Sequence, residues 1–252
     1  MSPVLPFDVL VLIIDFVGEN KDTNLLRELA LVSHSFLQIC SKHLFATVEL
    51  RDAIPNYLAS SKRGFIKLLK SRPDVINYIR KLRYMVTCNS DDDHLLLPLL
   101  SKFLPTTSRL NCLKITTSCQ DWNTLDTSLT SALLHLMRLP TINHIDLSFI
   151  QNFPLSSLTP SVNLHRFDIY NLRRIGGEDS SSEIAVQLET MPKIREFRTS
   201  ESSLLTTKLL HAKTQDGRPA FNFTDLRRLS MSFIRREDER NIRYLLQNAQ
   251  VT

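Results

Sequence analysis

Glycine is scarce in this chain, five residues in 252. That excludes the glycine-rich loops that cradle nucleotide phosphates, because such loops need backbone amides brought close to the ligand. The one Gly176-Gly177 pair sits in a polar turn-like stretch. Gly-x-Ser-x-Gly, His-Glu-x-x-His and Cys-x-x-Cys are also absent. With no nucleophile elbow, zincin helix or thiol-redox motif, no enzyme is expected, and neither a metal nor a cofactor.

Cysteine is sparse too. Cys40, Cys88, Cys112 and Cys119 have neither metal-ligand spacing nor the density of a disulfide framework, so buried free thiols in a reducing compartment are expected. No run approaches the roughly 18 apolar residues of a membrane helix. The longest, Val9 to Val17, is broken by Asp15, stopped by Gly18 and lacks the basic flank of a signal peptide. These absences predict a cytoplasmic and/or nuclear protein with no membrane partner.

What is present fits a packed protein: 42% of residues are hydrophobic and 23% charged. The net charge of +5 comes from 31 basic against 26 acidic residues that alternate along the chain. No dense basic cluster forms, which disfavours a nucleic-acid partner. Asp91-Asp92-Asp93-His94 reads as a solvated helix start rather than a metal site.

The first fifty residues read as three short helices. Leu5-Pro6-Phe7-Asp8 starts the first, with proline in the first turn and an early acid at the positive dipole end. Val9, Leu10, Ile13, Ile14 and Val17 form one stripe, which Leu12 and Phe16 widen beyond what a small core needs. Gly18 and Asn20 end it. Asp22 or Thr23 caps a second helix, and Ser33 a third bearing Phe36, Leu37, Cys40 and Leu44.

Leu5-Pro6, Asp8-Val9-Leu10, Ile13-Ile14 and Leu31-Val32-Ser33-His34-Ser35-Phe36 together resemble the F-box pattern, with Asp8, His34 and Phe36 departing from its usual Glu, Arg and Trp. The resemblance spans about residues 3–50. It implies a helical module that docks on the Skp-type adaptor protein of a cullin–RING ubiquitin ligase. The candidate adaptor-binding residues are Leu5, Pro6, Val9, Leu10, Ile13, Leu31 and Val32.

Beyond residue 50 the chain repeats itself. Ile79–Leu82–Tyr84, Leu110–Leu113–Ile115, Ile142–Ile145–Leu147, Leu164–Phe167–Ile169, Ile194–Phe197–Thr199 and Leu226–Leu229–Met231 share one apolar-x-x-apolar-x-apolar spacing. Their starts lie 31, 32, 22, 30 and 32 residues apart. Helices are expected between them, over residues 64–71, 94–104, 129–139, 183–191 and 203–212, and a turn around Leu155 and Leu158 in the short unit. A last helix should carry Ile242, Leu245, Leu246 and Ala249, with Glu237, Asp238 and Glu239 at its start. Strand, helix and parallel return at a near-constant period predict an α/β chain. The expected architecture is a three-helix F-box module over 1–50 and, over 51–252, an irregular leucine-rich-repeat-like solenoid with a curved parallel sheet. The asparagine ladder usual after the strand of such repeats is missing. No capping repeat follows the last helix, so the final surface is expected to be open.

Strand alternation then assigns the concave face. Its rows read Lys81, Cys112, His144, Arg166, Glu196, Arg228, then Arg83, Lys114, Asp146, Asp168, Arg198, Ser230, then Met85, Thr116, Ser148, Tyr170, Ser200, Ser232. The candidate contacts for a protein target are Lys81, Arg83, Lys114, His144, Asp146, Arg166, Asp168, Tyr170, Arg198 and Arg228. The expected function is substrate recognition within a Skp–cullin–F-box ligase. The competing reading is a repeat scaffold without a ligase role. Glu178-Asp179-Ser180-Ser181-Ser182-Glu183 reads as a connecting loop, and the target itself is not readable from the sequence.

Overall fold

The computed structural model describes residues 6–52, 61–87, 90–104, 109–118, 121–158, 160–171, 183–184, 191–214, 218–232 and 236–248. Leu5, Cys88, Cys119, the Gly176-Gly177 pair and the acidic loop from Glu178 to Ser182 lie outside them.

The chain opens with three helices, α1 (Phe7–Glu19), α2 (Thr23–Ala30) and α3 (His34–Leu44). Pro6 stands just before α1 rather than in its first turn. Asp22 caps α2 by accepting from Leu25 N–H at 3.0 Å, and Ser33 caps α3 by accepting from Phe36 N–H at 3.3 Å. Ile14, Leu26, Ile39 and Cys40 form a small core flanked by Val11, Val17, Leu29, Phe36 and Leu44. Burial pushes the Cys40 thiol upward.

The rest is built on a seven-stranded sheet, parallel throughout. Its strands are β1 (Thr47–Leu50), β2 (Lys81–Val86), β3 (Cys112–Thr117), β4 (His144–Ser148), β5 (Arg166–Tyr170), β7 (Glu196–Ser200) and β9 (Arg228–Ser232), hydrogen-bonded in that order. Two-residue strands β6 (Glu183–Ile184) and β8 (Lys213–Thr214) pair separately. Between the sheet strands run α4 (Ser61–Ser71), α5 (Asp91–Phe103), α6 (Thr127–Met137) and α7 (Ser203–His211), and α8 (Arg236–Asn248) follows β9. The turn expected at Leu155 to Leu158 is a 3₁₀ turn.

All six anticipated strand segments occupy the sheet, in register. The inward side chains of the first five, from Ile79 to Thr199, are buried against Phe65, Ile66, Leu96, Leu100, Leu133, Leu136 and Leu209 of the helices. Thr199 takes a core position because its hydroxyl meets that of Thr206 at 3.0 Å, and Thr206 in turn donates to Ser202 O. Leu229 and Met231 of β9, at one sheet edge, and Leu226 just before it are only half-buried.

The repeat is also visible in the backbone. The carbonyls of Ala46, Arg80, Asn111, Asn143, His165 and Arg195, each just before or near a strand start, accept two consecutive N–H groups from the following unit. For Asn111 these are Asn143 N at 3.0 Å and His144 N at 3.1 Å. One carbonyl with two lone pairs thus closes each step.

Four expectations need correction. The helical module gives residues 47–50 to the sheet as β1, whose Val48 and Leu50 pair with Leu82 and Tyr84. A helix over 183–191 does not begin at Glu183, because Glu183–Ile184 pairs with Lys213–Thr214; residues 185–190 lie outside the described set. The acidic start of α5 is solvated at Asp91 only: Asp93 is fully buried and Asp92 nearly so. Asp93 accepts from Lys62 at 2.6 Å, Tyr84 OH at 2.6 Å and Thr87 N–H at 2.9 Å. Finally, Leu246 of α8 is exposed, since the helix turns Asn241 and Leu245 inward, with Asn241 accepting from Thr207.

Candidate partner-binding surfaces

Two surfaces stand out. The first is the outer side of α1–α3. The single stripe expected on α1 divides into two. Val11, Ile14 and Val17 face the small core, whereas Val9, Leu12, Ile13 and Phe16 point to solvent at i, i+3, i+4 and i+7. Leu10 is half-buried between them.

Eight of the twelve exposed large apolar side chains among the described residues lie between Phe7 and Val32. Leu31 is 87% exposed, Phe16 69%, Leu12 67% and Val32 66%. Of the anticipated adaptor-binding residues, Pro6, Val9, Ile13, Leu31 and Val32 are therefore at the surface. Phe7, Leu12, Phe16 and Leu25 join them, beyond the anticipated set. For the α1 residues the signal lies in the spacing of Val9, Leu12, Ile13 and Phe16.

Asp15 turns toward α3, where Lys42 lies 2.6 Å and His43 2.7 Å away. Their hydrogen bonds hold the Asp15 carboxyl below its usual range. Gly18 lets the His43 ring approach, since a Cβ there would fall 2.2 Å from its Nδ1. With Val11, Ile14 and Val17 facing the core and Val9, Leu12, Ile13 and Phe16 facing solvent, α1 is apolar on two faces, and its other acids, Asp8 and Glu19, stand exposed at its ends.

The second surface is the sheet face opposite the helices, and its rows follow strand register as anticipated. In the first row, Cys112 Sγ is 3.1 Å from His144 Nδ1, and Glu196 pairs with Arg166 at 3.5 Å and Arg228 at 3.2 Å. In the second, Lys114 reaches Asp146 at 2.9 Å and Arg83 reaches Glu49 at 3.9 Å. Asp168 accepts from His144 at 3.0 Å and Arg166 at 2.8 Å. In the third, the Tyr170 ring lies 5.6 Å from Lys114 Nζ, in cation–π range.

Asp146 and Asp168 are 7% and 2% exposed, so these two anticipated contacts lie beneath their neighbours. They hold Lys114, His144 and Arg166 in place rather than meeting a partner. Burial raises the Asp168 carboxyl's affinity for a proton, but hydrogen bonds from His144 and Arg166 outweigh it and leave its pKa lowered. For His144 burial works against the charge, yet hydrogen bonds to Asp168 and Cys112 raise it to about 9. Arg198 Nε is buried without a hydrogen-bond partner among the described residues. Lys81, Arg83 and Arg228 are exposed. The cations therefore form the accessible layer, above acids that are already paired.

Two open grooves cut this face. One, about 370 Å³, lies among Glu49, Arg83, Met85, Lys114 and Thr116. The other, about 430 Å³, runs along the strand starts past Lys81, Cys112, His144, Arg166 and Arg195. Cys112 is half-buried there, not enclosed as a core thiol would be. Among the described residues no group of three or more His, Cys, Asp or Glu side chains could hold a metal ion. No described helix is long and apolar enough to cross a membrane. No protein-family model, curated protein or solved structure matches this chain.

Proposed function

We propose that this chain is an F-box-type substrate adaptor. In this reading α1–α3 dock on the Skp-type adaptor protein of a cullin–RING ubiquitin ligase, and the sheet face holds a protein target. The observation that carries the reading is the outward apolar stripe of Val9, Leu12, Ile13 and Phe16 on a helix whose mid-length acid, Asp15, is paired toward α3. Such a stripe gains nothing in water. Each apolar side chain buried by a partner contributes roughly 1.5–3 kcal/mol, so four supply about 6–12 kcal/mol, the same scale as an association cost of about 4–15 kcal/mol.

The strand series supports the receptor half. Seven parallel strands in chain order, helices packed on one face and a carbonyl step repeated at each strand start fit an irregular leucine-rich-repeat-like solenoid. Its open face, a layer of cations and one tyrosine over paired acids, suits a polar protein segment. The chain itself transfers no ubiquitin in this reading; it brings the target to a separate ligase core.

Co-expression with a Skp-type adaptor tests the reading. A stable complex on size exclusion is expected, lost when Ile13→Asp and Phe16→Asp are combined. A wild-type chain that elutes alone at micromolar concentration leaves the repeat-scaffold reading in its place.

A further inference from the structure

Cys112, His144 and Asp168 come from three adjacent strands and form a continuous hydrogen-bonded series. Sγ of Cys112 is 3.1 Å from Nδ1 of His144, and Nε2 of the same ring is 3.0 Å from Oδ2 of Asp168. Strand register builds it: Cys112 and His144 are direct partners across β3 and β4, and Asp168 stands two residues beyond Arg166, the β5 partner of His144.

The chemistry of the series is directional. A carboxylate only accepts, so Nε2 donates to Asp168, and with the ring charged at neutral pH Nδ1 donates toward the Cys112 sulfur. Asp168 is 2% exposed and further held by Arg166 at 2.8 Å, which keeps the imidazole from turning away. A nucleophile bonded to a charged imidazole, and the imidazole bonded to a buried orienting group, is an arrangement that activates a thiol.

Access and charge add an independent observation. The sulfur opens on the groove of about 430 Å³ whose rim bears Lys81, Arg166 and Arg195 against one acid, Glu196, itself paired with Arg166 and Arg228. Negative charge is therefore favoured beside the sulfur, both on an incoming molecule and on a departing group.

We propose that Cys112, His144 and Asp168 constitute a nucleophilic thiol site that takes small, negatively charged electrophiles. Cys112 is the attacking atom's residue, His144 its charge partner, and Asp168 the positioning residue. With iodoacetate as the electrophile, the thiol proton leaves to water, and the sulfur, faced by the Nδ1–H of the charged His144 ring, attacks the methylene carbon. The carbon–sulfur bond forms as the carbon–iodine bond breaks, and iodide leaves with the bonding pair. This site does not depend on the docking role proposed above.

The test is the rate of Cys112 alkylation in the full chain, followed by peptide mass spectrometry, with glutathione as reference thiol. Iodoacetate and iodoacetamide are compared across pH. Cys112 should react with iodoacetate at least about tenfold faster than glutathione at neutral pH, and His144→Gln, which removes the charged partner, should slow it by about 10- to 100-fold. The preference for iodoacetate over iodoacetamide should exceed that of glutathione and fall in Lys81→Ala. A wild-type rate and pH profile that superimpose on those of glutathione overturn the site, whatever the variants do. A charge preference equal to that of glutathione overturns the anionic class.

Discussion

Removing the Asp93 carboxylate should cost this fold more than any exposed substitution. Lys62 and Asp93 are both fully buried, 2.6 Å apart, with Asp52 a further 3.0 Å partner of the ammonium. Asp93 also accepts from Tyr84 OH and Thr87 N–H, which ties α5 to β2. Burial and the neighbouring carboxylates keep the Tyr84 hydroxyl protonated far above its usual range. Asp93→Ala leaves a hydroxyl and an amide without their acceptor and the buried ammonium with Asp52 as its one remaining carboxylate. Breaking one member out of a buried pair costs about 3–5 kcal/mol. Against a domain stability of about 5–15 kcal/mol, that is a large fraction.

Lys62→Met should cost a similar amount by stranding Asp93. The double variant should recover part of the loss but not all, since Tyr84 OH and Thr87 N–H still lack a partner, at about 1–3 kcal/mol per orphaned group. Urea denaturation followed by circular dichroism gives the four corners of this double-mutant cycle. Single losses below about 1 kcal/mol, or losses that simply add, would refute the account of a coupled buried network.

Other consequences are smaller. Gly18→Ala should loosen α1 from α3 by about 1–3 kcal/mol, because the His43 ring it would strike is held by Asp15; an unchanged melting temperature counts against that packing. Glu201 has φ 53° just after β7, so Glu201→Gly should leave stability unchanged or raise it by up to about 1 kcal/mol, whereas a clear loss in thermal denaturation contradicts the strain. His144 carries a folded-state pKa of about 9 against an ordinary 6.5, so its contribution is complete below pH 6.5 and is lost as pH rises toward 9. That difference corresponds to about 3 kcal/mol, and His144→Gln should flatten stability across this window. Equal pH dependence in variant and wild type would remove the Asp168–His144 bond from the stability account.

The strand series is legible in the sequence because two signals coincide, a period of two within each strand and a recurring apolar spacing between them. Those two signals alone place the inward positions from Ile79 to Thr199 and the outward positions from Lys81 to Ser232. β1 carries the same signal, Phe45–Val48–Leu50, 34 residues before Ile79, but it runs directly out of α3 and reads as the tail of the helices. On α1 both stripes have helical spacing, so periodicity alone does not say which faces in. That is decided by partners 27 and 28 residues away, Lys42 and His43, bonding Asp15. The burial of Asp93 depends likewise on Lys62, which no local pattern links to it. The repeat spacing aligns Cys112 with His144, but the bonds through to Asp168 depend on side-chain direction.

The outward stripe of α1 is the centre of the functional account, and calorimetric titration of the purified chain with a Skp-type adaptor addresses it most directly. Ile13 and Phe16 are 48% and 69% exposed, so replacing both with aspartate should leave helicity and the urea midpoint unchanged. Loss of two buried apolar contacts, about 3–6 kcal/mol together, should weaken binding by at least about 100-fold. Equal affinity of the folded double variant and the wild type would contradict the account.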